Sequence, residues 1–210
     1  MALSGNHLRM KKFDQSIKVA NIIEEGRVGG PQKRIMMVAS TISNQIDTTI
    51  IIPKKNSGDF QLLCKKLNVK YLKSSLITIK RDIFSVISYL ILFPYEVLKL
   101  SHLLKKNQFD LVHISGGSWQ YKGILAAKLA NIKAVWHLND TYVPLPFRII
   151  FKILSPLASG YIFSAHRAKE YYDKYLDSEK PKFIIPPPVD TTLFSPSQNY
   201  TENKEIIESL

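Results

Sequence analysis

One cysteine, Cys64, stands in the 210 residues. No intramolecular disulfide can form, which suits a reducing cytoplasm. Cys64 lies in the helical pattern DFQLLCKKL and is expected to be a buried structural thiol. Acidic residues are also in deficit: 17 Asp and Glu stand against 29 Lys and Arg, a net charge of +12. Such a field favours anionic partners, whether nucleic acid, phosphorylated substrate or acidic lipid, without choosing among them. There is no C-x-x-C and no H-E-x-x-H, and the five histidines are scattered; no metal site and no cofactor are expected. A G-x-S-x-G elbow is lacking, which excludes one common serine-nucleophile arrangement. The N-terminal MALSGNHLRMKKFDQS has no apolar core of signal length, so residues 1–16 read as a flexible basic extension.

The most apolar stretch, IFSVISYLILFPYEVLKLSHLL, is interrupted by Pro94, Glu96, Lys99 and His102. Its uninterrupted part, 83–93, is too short to span a bilayer. A buried or half-buried pair of helices joined near Pro94 is expected. The alternative is an interfacial segment with Lys99, Lys105 and Lys106 facing acidic headgroups.

What the chain does have is a regular alternation. KVANIIEE reads as a strand, and Pro31 suits the first turn of the next helix, whose apolar face is Ile35, Met36, Val38, Ala39 and Ile42. TTIIIP reads as a strand buried on both faces. SGDFQLLCKKLN is a helix with Ser57 or Asp59 as its cap. VKYL is a weak strand, followed by a long helical region from about 80 to 107. FDLVHIS, KAVWHLND, GYIFSA and KFIIP are further strands, separated by helices over ILAAKLAN, PLPFRIIFKILSPLA and HRAKEYYDKYL. About seven strands in β-then-α order predict an α/β fold. The expected form is a single Rossmann-like, doubly wound, mostly parallel sheet with helices on both faces.

In such sheets ligands bind at the carboxyl ends of the strands. The first strand-end loop carries Gly29-Gly30 before a helix start, with Arg27, Lys33 and Arg34 near. Backbone N–H groups there suit an anion, and a plain tight turn suits the same residues. The G-x-G-x-x-G and G-K-[ST] spacings are missing. GGSWQYKG places Gly116 and Gly117 at the next functional strand end; Trp119 and Tyr121 can stack on a sugar or pack the loop onto the following helix. His113, inside its strand, is expected to be a core histidine. His137 ends a strand and is a candidate to bond a ligand hydroxyl or phosphate. Asn139 and Asp140 follow it, with Asp140 either an acceptor for hydroxyls or a cap for the next helix. Ser164 is expected to cap the helix that carries His166 and Arg167.

Four stretches together resemble the N-terminal domain of GT-B-fold retaining glycosyltransferases, the group 1 or family 4 enzymes. They are VGGPQKR, FDLVHIS, AVWHLND and IIPPPVDTTLFSP. In the last, Ile185, Pro186, Val189, Asp190, Phe194 and Pro196 keep the family's type and spacing. There it ends the first domain, which explains why the strand KFIIP stops so abruptly against three prolines. The resemblance implies an acceptor-side domain over 17–195 and a linker, or the start of a missing C-terminal domain, over 196–210. It implies His137 as a catalytic residue beside the transferring sugar. Gly29, Gly30, Gly116, Gly117, Trp119, Asn139 and Asp140 would be substrate-binding residues.

Two departures qualify it. Pro187-Pro188 replaces the family's Asn-Gly, and no two glutamates have seven residues between them, the pattern of the donor-binding half. The expected function is therefore the acceptor-side lobe of a glycosyltransferase for surface polysaccharide or glycolipid, inactive alone. Its partners would be a nucleotide-sugar donor, held mostly by a missing C-terminal domain, and a saccharide or lipid-linked acceptor. The alternative is a non-catalytic module that binds anionic or lipid-linked glycan or pairs with a separate donor-binding chain. The expected location is cytoplasmic, with peripheral contact at the acidic inner face of the membrane. Nucleic acid is not an expected partner, since no recognised nucleic-acid motif accompanies the charge.

Overall fold

The computed structural model describes residues 16–78, 83–189 and 191. Residues 1–15 of the expected extension 1–16, residues 79–82, Asp190 and the segment 192–210, with the region 196–210 expected to be a linker or the start of a further domain, lie outside the described residues.

Seven parallel strands run in the order β3-β2-β1-β4-β5-β6-β7. They are β1 Ile17–Ile22, β2 Ile46–Pro53, β3 Lys70–Ser74, β4 Leu111–Ile114, β5 Lys133–Leu138, β6 Gly160–Phe163 and β7 Lys182–Ile184. The helices between them are α1 Gly30–Thr41, α2 Gly58–Lys66, α3 Ile83–Lys106, α4 Tyr121–Ala130, α5 Leu145–Leu154 and α6 His166–Asp173, with a 3₁₀ turn at Ser155–Leu157. Strand order reverses between β1 and β4, the switch point where ligands enter such sheets.

Side chains of a strand alternate between faces, so each strand feeds two cores. Ala20, Ile22, Ile51, Val112, Ile114, Trp136, Leu138, Tyr161 and Phe163 pack under α3, α4, α5 and α6. Ile50, Ile52 and Ile23 pack on the other face under α1 and α2, with Ile35, Met36, Phe60 and Cys64. The Cys64 thiol is buried against Met36 Sδ at 3.7 Å, and burial pushes its pKa up to about 11. It is an inert, packed thiol. Only α1 and α2, among the described residues, cover this second face, and they lie over β1–β3. On β4–β6 the residues of that face include Leu111, His113, Val135, His137 and Ile162, which share a hollow with Arg34, Val38 and Ala39 of α1.

Four local details differ from expectation. The region around Pro94 is one helix, α3, with the proline inside it. Pro94 takes the N–H away from the carbonyl of Leu90, but both residues are exposed, so water can replace the donor and the helix continues. Ser57 is at the N-cap of α2 but makes no capping bond; its hydroxyl donates to Pro53 O at 2.6 Å. The N-cap of α6 is Ala165, not Ser164. The first strand also ends earlier than KVANIIEE suggests, at Ile22.

Candidate functional site

The two glycine pairs come from the two strands that flank the switch point. Gly29 is the N-cap of α1, with Pro31 in the first turn. Gln32 replaces a capping serine: its Oε1 accepts from Gly29 N at 3.1 Å, and its Nε2 donates to Glu25 O at 3.1 Å. Gly30 is exposed, and nothing stands within 4 Å of where its Cβ would be. Across the crevice, Gly116 and Gly117 have φ of +111° and +96°. Two consecutive residues in that region require glycine. The two loops are tied together by Gln120, whose Oε1 accepts from Glu24 N at 2.8 Å. Between them lies a hollow of about 450 Å³ lined by Glu25, Arg27, Gly29, Gln32, Gly116 and Gln120, among others.

Gly117 is also fixed from β5: its N–H donates to His137 O at 3.3 Å, and its carbonyl accepts from Trp136 Nε1 at 2.9 Å. A Cβ on Gly117 would lie 3.1 Å from the Asp140 carboxylate. That carboxylate accepts hydroxyls from Ser118, at 3.0 Å, and from Tyr172. Asp140 thus ties the β4–α4 loop to the loop after β5 and to α6. It is not the cap of α5, whose N-cap is Pro144. Trp119 lies against Phe147, ring centroids 4.4 Å apart, and Tyr121 donates to Phe147 O at 2.9 Å. Both aromatics hold the loop to α5.

His137 turns elsewhere. Its ring is 3% exposed and stacks on His113, with Nδ1 3.2 Å from His113 Nε2. His113 in turn receives Asn21 Nδ2 at Nδ1, 3.0 Å. Burial, with the nearby Arg34 charge, lowers His113 to about 4 and His137 to about 2, so both rings are neutral at pH 7. Asn139 accepts from Arg34 Nη1 at 2.9 Å. The structure therefore brings Gly29, Gly30, Gly116 and Gly117 to one crevice. It sets Asp140 and Trp119 behind that crevice and turns the His137 ring to the α1 side of the sheet.

Sequence reasoning missed a buried ion cluster behind the crevice. Lys122, 0% exposed, lies 2.6 Å from Glu96 and 3.8 Å from Glu24, donates to Ile77 O, and sits 4.0 Å from the Tyr89 ring centroid. Desolvation raises Glu24 to about 7, against the lowering effect of Lys122. The cluster joins the end of β1 to α3 and α4. Its only signal in the sequence was one charge in each of two otherwise apolar helical stretches, FPYEVL and YKGILAA.

Residues 28–193 match the family described as Glycosyltransferase Family 4. The chain belongs to Glycosyltransferase Family 4. Its match to the UDP-N-acetylglucosamine–N-acetylmuramyl-(pentapeptide) pyrophosphoryl-undecaprenol N-acetylglucosamine transferase of Francisella tularensis is 26% identical over 160 residues. That match takes in 76% of this chain and 42% of the relative. The fold is similar to that of Anabaena HepE in complex with UDP-glucose, with TM-score 0.66, 14% identity, 91% of this chain and 50% of that one. It is similar also to Acinetobacter baumannii MurG, with TM-score 0.56, 16% identity, 90% of this chain and 49% of that one. The family 4 chain thus has the fold of a GT-B N-terminal domain, and spans about half the length of the relatives it matches.

Proposed function

We propose that this family 4 chain is the acceptor-side lobe of a glycosyltransferase that moves a sugar from a nucleotide-sugar to a saccharide or lipid-linked acceptor. The observation that carries the reading is the crevice at the switch point, formed by backbone of the Gly29-Gly30 and Gly116-Gly117 turns. Exposed N–H groups at the start of α1 suit a phosphate or a polarised hydroxyl, and the glycines let it approach the main chain. The relatives named as transferases, one acting on pyrophosphoryl-undecaprenol and one a lipopolysaccharide outer core galactosyltransferase, support a glycan or glycolipid product. In this reading the lobe orients the acceptor, and the donor is held by a second lobe. Catalysis is positioning plus charge stabilisation of the departing diphosphate. His137 acts as a positioning residue through its carbonyl on Gly117, and Asn139 and Asp140 hold the rim.

The reading includes a peripheral membrane contact. α3 exposes Phe84 (78%), Leu90, Ile91 (70%), Tyr95 and Leu98, and α5 exposes Leu145, Ile149, Ile150 and Ile153. Lys99, Lys105, Lys106, Arg148 and Lys152 lie on the same two helices. By length and composition α3 could cross a bilayer, but Tyr89, Val97, Leu100 and Leu104 are buried in the protein core. An apolar stripe with basic neighbours suits an interfacial helix face.

Saturation-transfer NMR with lipid-linked saccharides and nucleotide-sugars tests the lobe assignment. The expected result is an acceptor signal that Gly116→Val abolishes, with no turnover by the chain alone. Robust transfer by the isolated chain would overturn the half-enzyme reading. Sedimentation with anionic vesicles tests the contact; Leu90→Glu with Ile91→Glu is expected to abolish binding, and unchanged binding rejects it.

A further inference from the structure

A second hollow, of about 300 Å³, lies away from the glycine crevice, between α1 and the face formed by β1, β2, β4, β5 and β6. Most of its wall is aliphatic, including Val19, Ile35, Val38, Val135, Ile162 and Ile185. Asn21, Arg34, His113 and His137 also line it, and among the described residues no tryptophan, tyrosine or phenylalanine does.

Arg34 is the anomaly. The residue is 8% exposed, yet among the described residues no carboxylate is within ion-pair distance. Its one hydrogen bond goes to Asn139, and Nη2 is buried without a partner. Leaving a buried cation unpaired costs on the order of several kcal/mol, because the charge gives up its hydration without a compensating partner. Desolvation lowers Arg34 to about 10, which still leaves it charged at neutral pH.

Unsatisfied polar atoms gather around it. Among the described residues, buried atoms without a partner include Asn21 Oδ1, Arg34 Nη2, His137 Nε2 and Asn139 Nδ2, with Ser115 Oγ elsewhere. Native structures leave few such atoms, and each calls for an explanation. The hydrogen-bond chain fixes the character of three. Arg34 only donates, so Asn139 accepts with Oδ1 and its Nδ2–H is free. Asn21 Nδ2 donates to His113 Nδ1, so the neutral His113 donates from Nε2 to His137 Nδ1. His137 must then carry its own hydrogen on Nε2. Among the residues that line the hollow there are two free donors, on Arg34 and His137, the first of them cationic, and a single free acceptor on Asn21; the Asn139 amide stands behind Arg34.

We propose that this hollow binds a small aliphatic anion: a phosphate monoester or carboxylate head on Arg34 and His137, with a short saturated tail along the aliphatic wall. The volume is at the low end of small-ligand sites, which run from about 300 to 1,000 Å³. The absence of an aromatic platform argues against a nucleobase. The inference goes beyond the transferase reading and does not depend on it, because it rests on the surroundings of Arg34 alone.

Isothermal titration of the full chain with octyl phosphate, octanoate, inorganic phosphate and octyl glucoside tests it. Octyl phosphate or octanoate is expected to bind at least tenfold tighter than inorganic phosphate and octyl glucoside. Preference between the two octyl anions identifies the head. Arg34→Met is expected to weaken that binding at least tenfold. Val38→Trp, at a partly exposed wall position, is expected to block it with the fold intact. The proposal is overturned if neither octyl anion binds, if octyl glucoside or inorganic phosphate binds as tightly, or if both variants bind as the wild type does.

Discussion

Lys122 and Arg34 are both buried cations, one on each side of the same sheet, and their surroundings differ in kind. Lys122 is closed in by Glu24, Glu96, the Ile77 carbonyl and the Tyr89 ring. Arg34 has one amide oxygen and an open, greasy hollow. The first arrangement is complete within the lobe and ties three elements together. The second is incomplete within the described residues. A closed buried ion network acts on folding; an open one acts on binding.

The largest test of that contrast is Lys122→Met. It leaves two carboxylates buried and facing each other, and is expected to cost about 3–5 kcal/mol in chemical denaturation, the range for breaking a buried ion pair. Glu24→Gln and Glu96→Gln added to it should recover most of the loss. If Lys122→Met leaves the midpoint unchanged, Lys122 is not closed in as described.

Next comes Gly117→Ala, at φ of +96° with the Asp140 carboxylate close by. A loss of about 1–3 kcal/mol is expected for a residue forced into this region. Asp140→Ala should relieve the contact but not the dihedral, so only part should return.

The pH dependence of stability divides the two sides further. His113 and His137 have lowered pKa values, so their contribution is present above about 6.5 and lost as pH falls. Glu24 has a raised pKa, so its contribution is present below 4.5 and lost as pH rises through about 7. Between pH 6.5 and 4.5 two histidines oppose one glutamate, each acting at about 1.4 kcal/mol per pH unit. Stability should therefore fall by about 1.4 kcal/mol per unit on acidification. Removing one imidazole, as in His137→Gln, should flatten that slope; an unchanged slope would show that His137 is not buried neutral.

The smallest expected effect sharpens the comparison most. Arg34→Met without ligand should change stability by no more than about 1 kcal/mol, or raise it, because replacing a poorly paired buried charge by an apolar side chain is often neutral or better. A loss as large as that of Lys122→Met would mean that Arg34 also has a closed partner set.

Much of the lobe was legible in the chain. The runs TTIIIP, FDLVHIS and AVWHL are short, apolar and rich in β-branched residues, bounded by turn residues, and they fall in the sheet where expected. Gly29-Gly30 and Gly116-Gly117 could be placed at strand ends because strand-then-helix order fixes which loops share an edge. Ser57 was placed correctly at an N-cap, but its hydroxyl donates to the Pro53 carbonyl and makes no capping bond; Ser164 was misjudged, since Ala165 takes the N-cap of α6. The joint expected at Pro94 failed because an exposed proline in a long apolar helix loses only a bond that water can replace.

The sequence alone determined the order of strands and helices, the parallel sheet and the glycine turns, because periodicity and backbone chirality act locally and repeat along the chain. Which way the His137 ring faces, that Glu24 and Glu96 meet on Lys122, and that Arg34 is left without a carboxylate were decided only by the tertiary structure. Those facts depend on residues separated by 24 to 105 positions, and no local pattern records such a meeting.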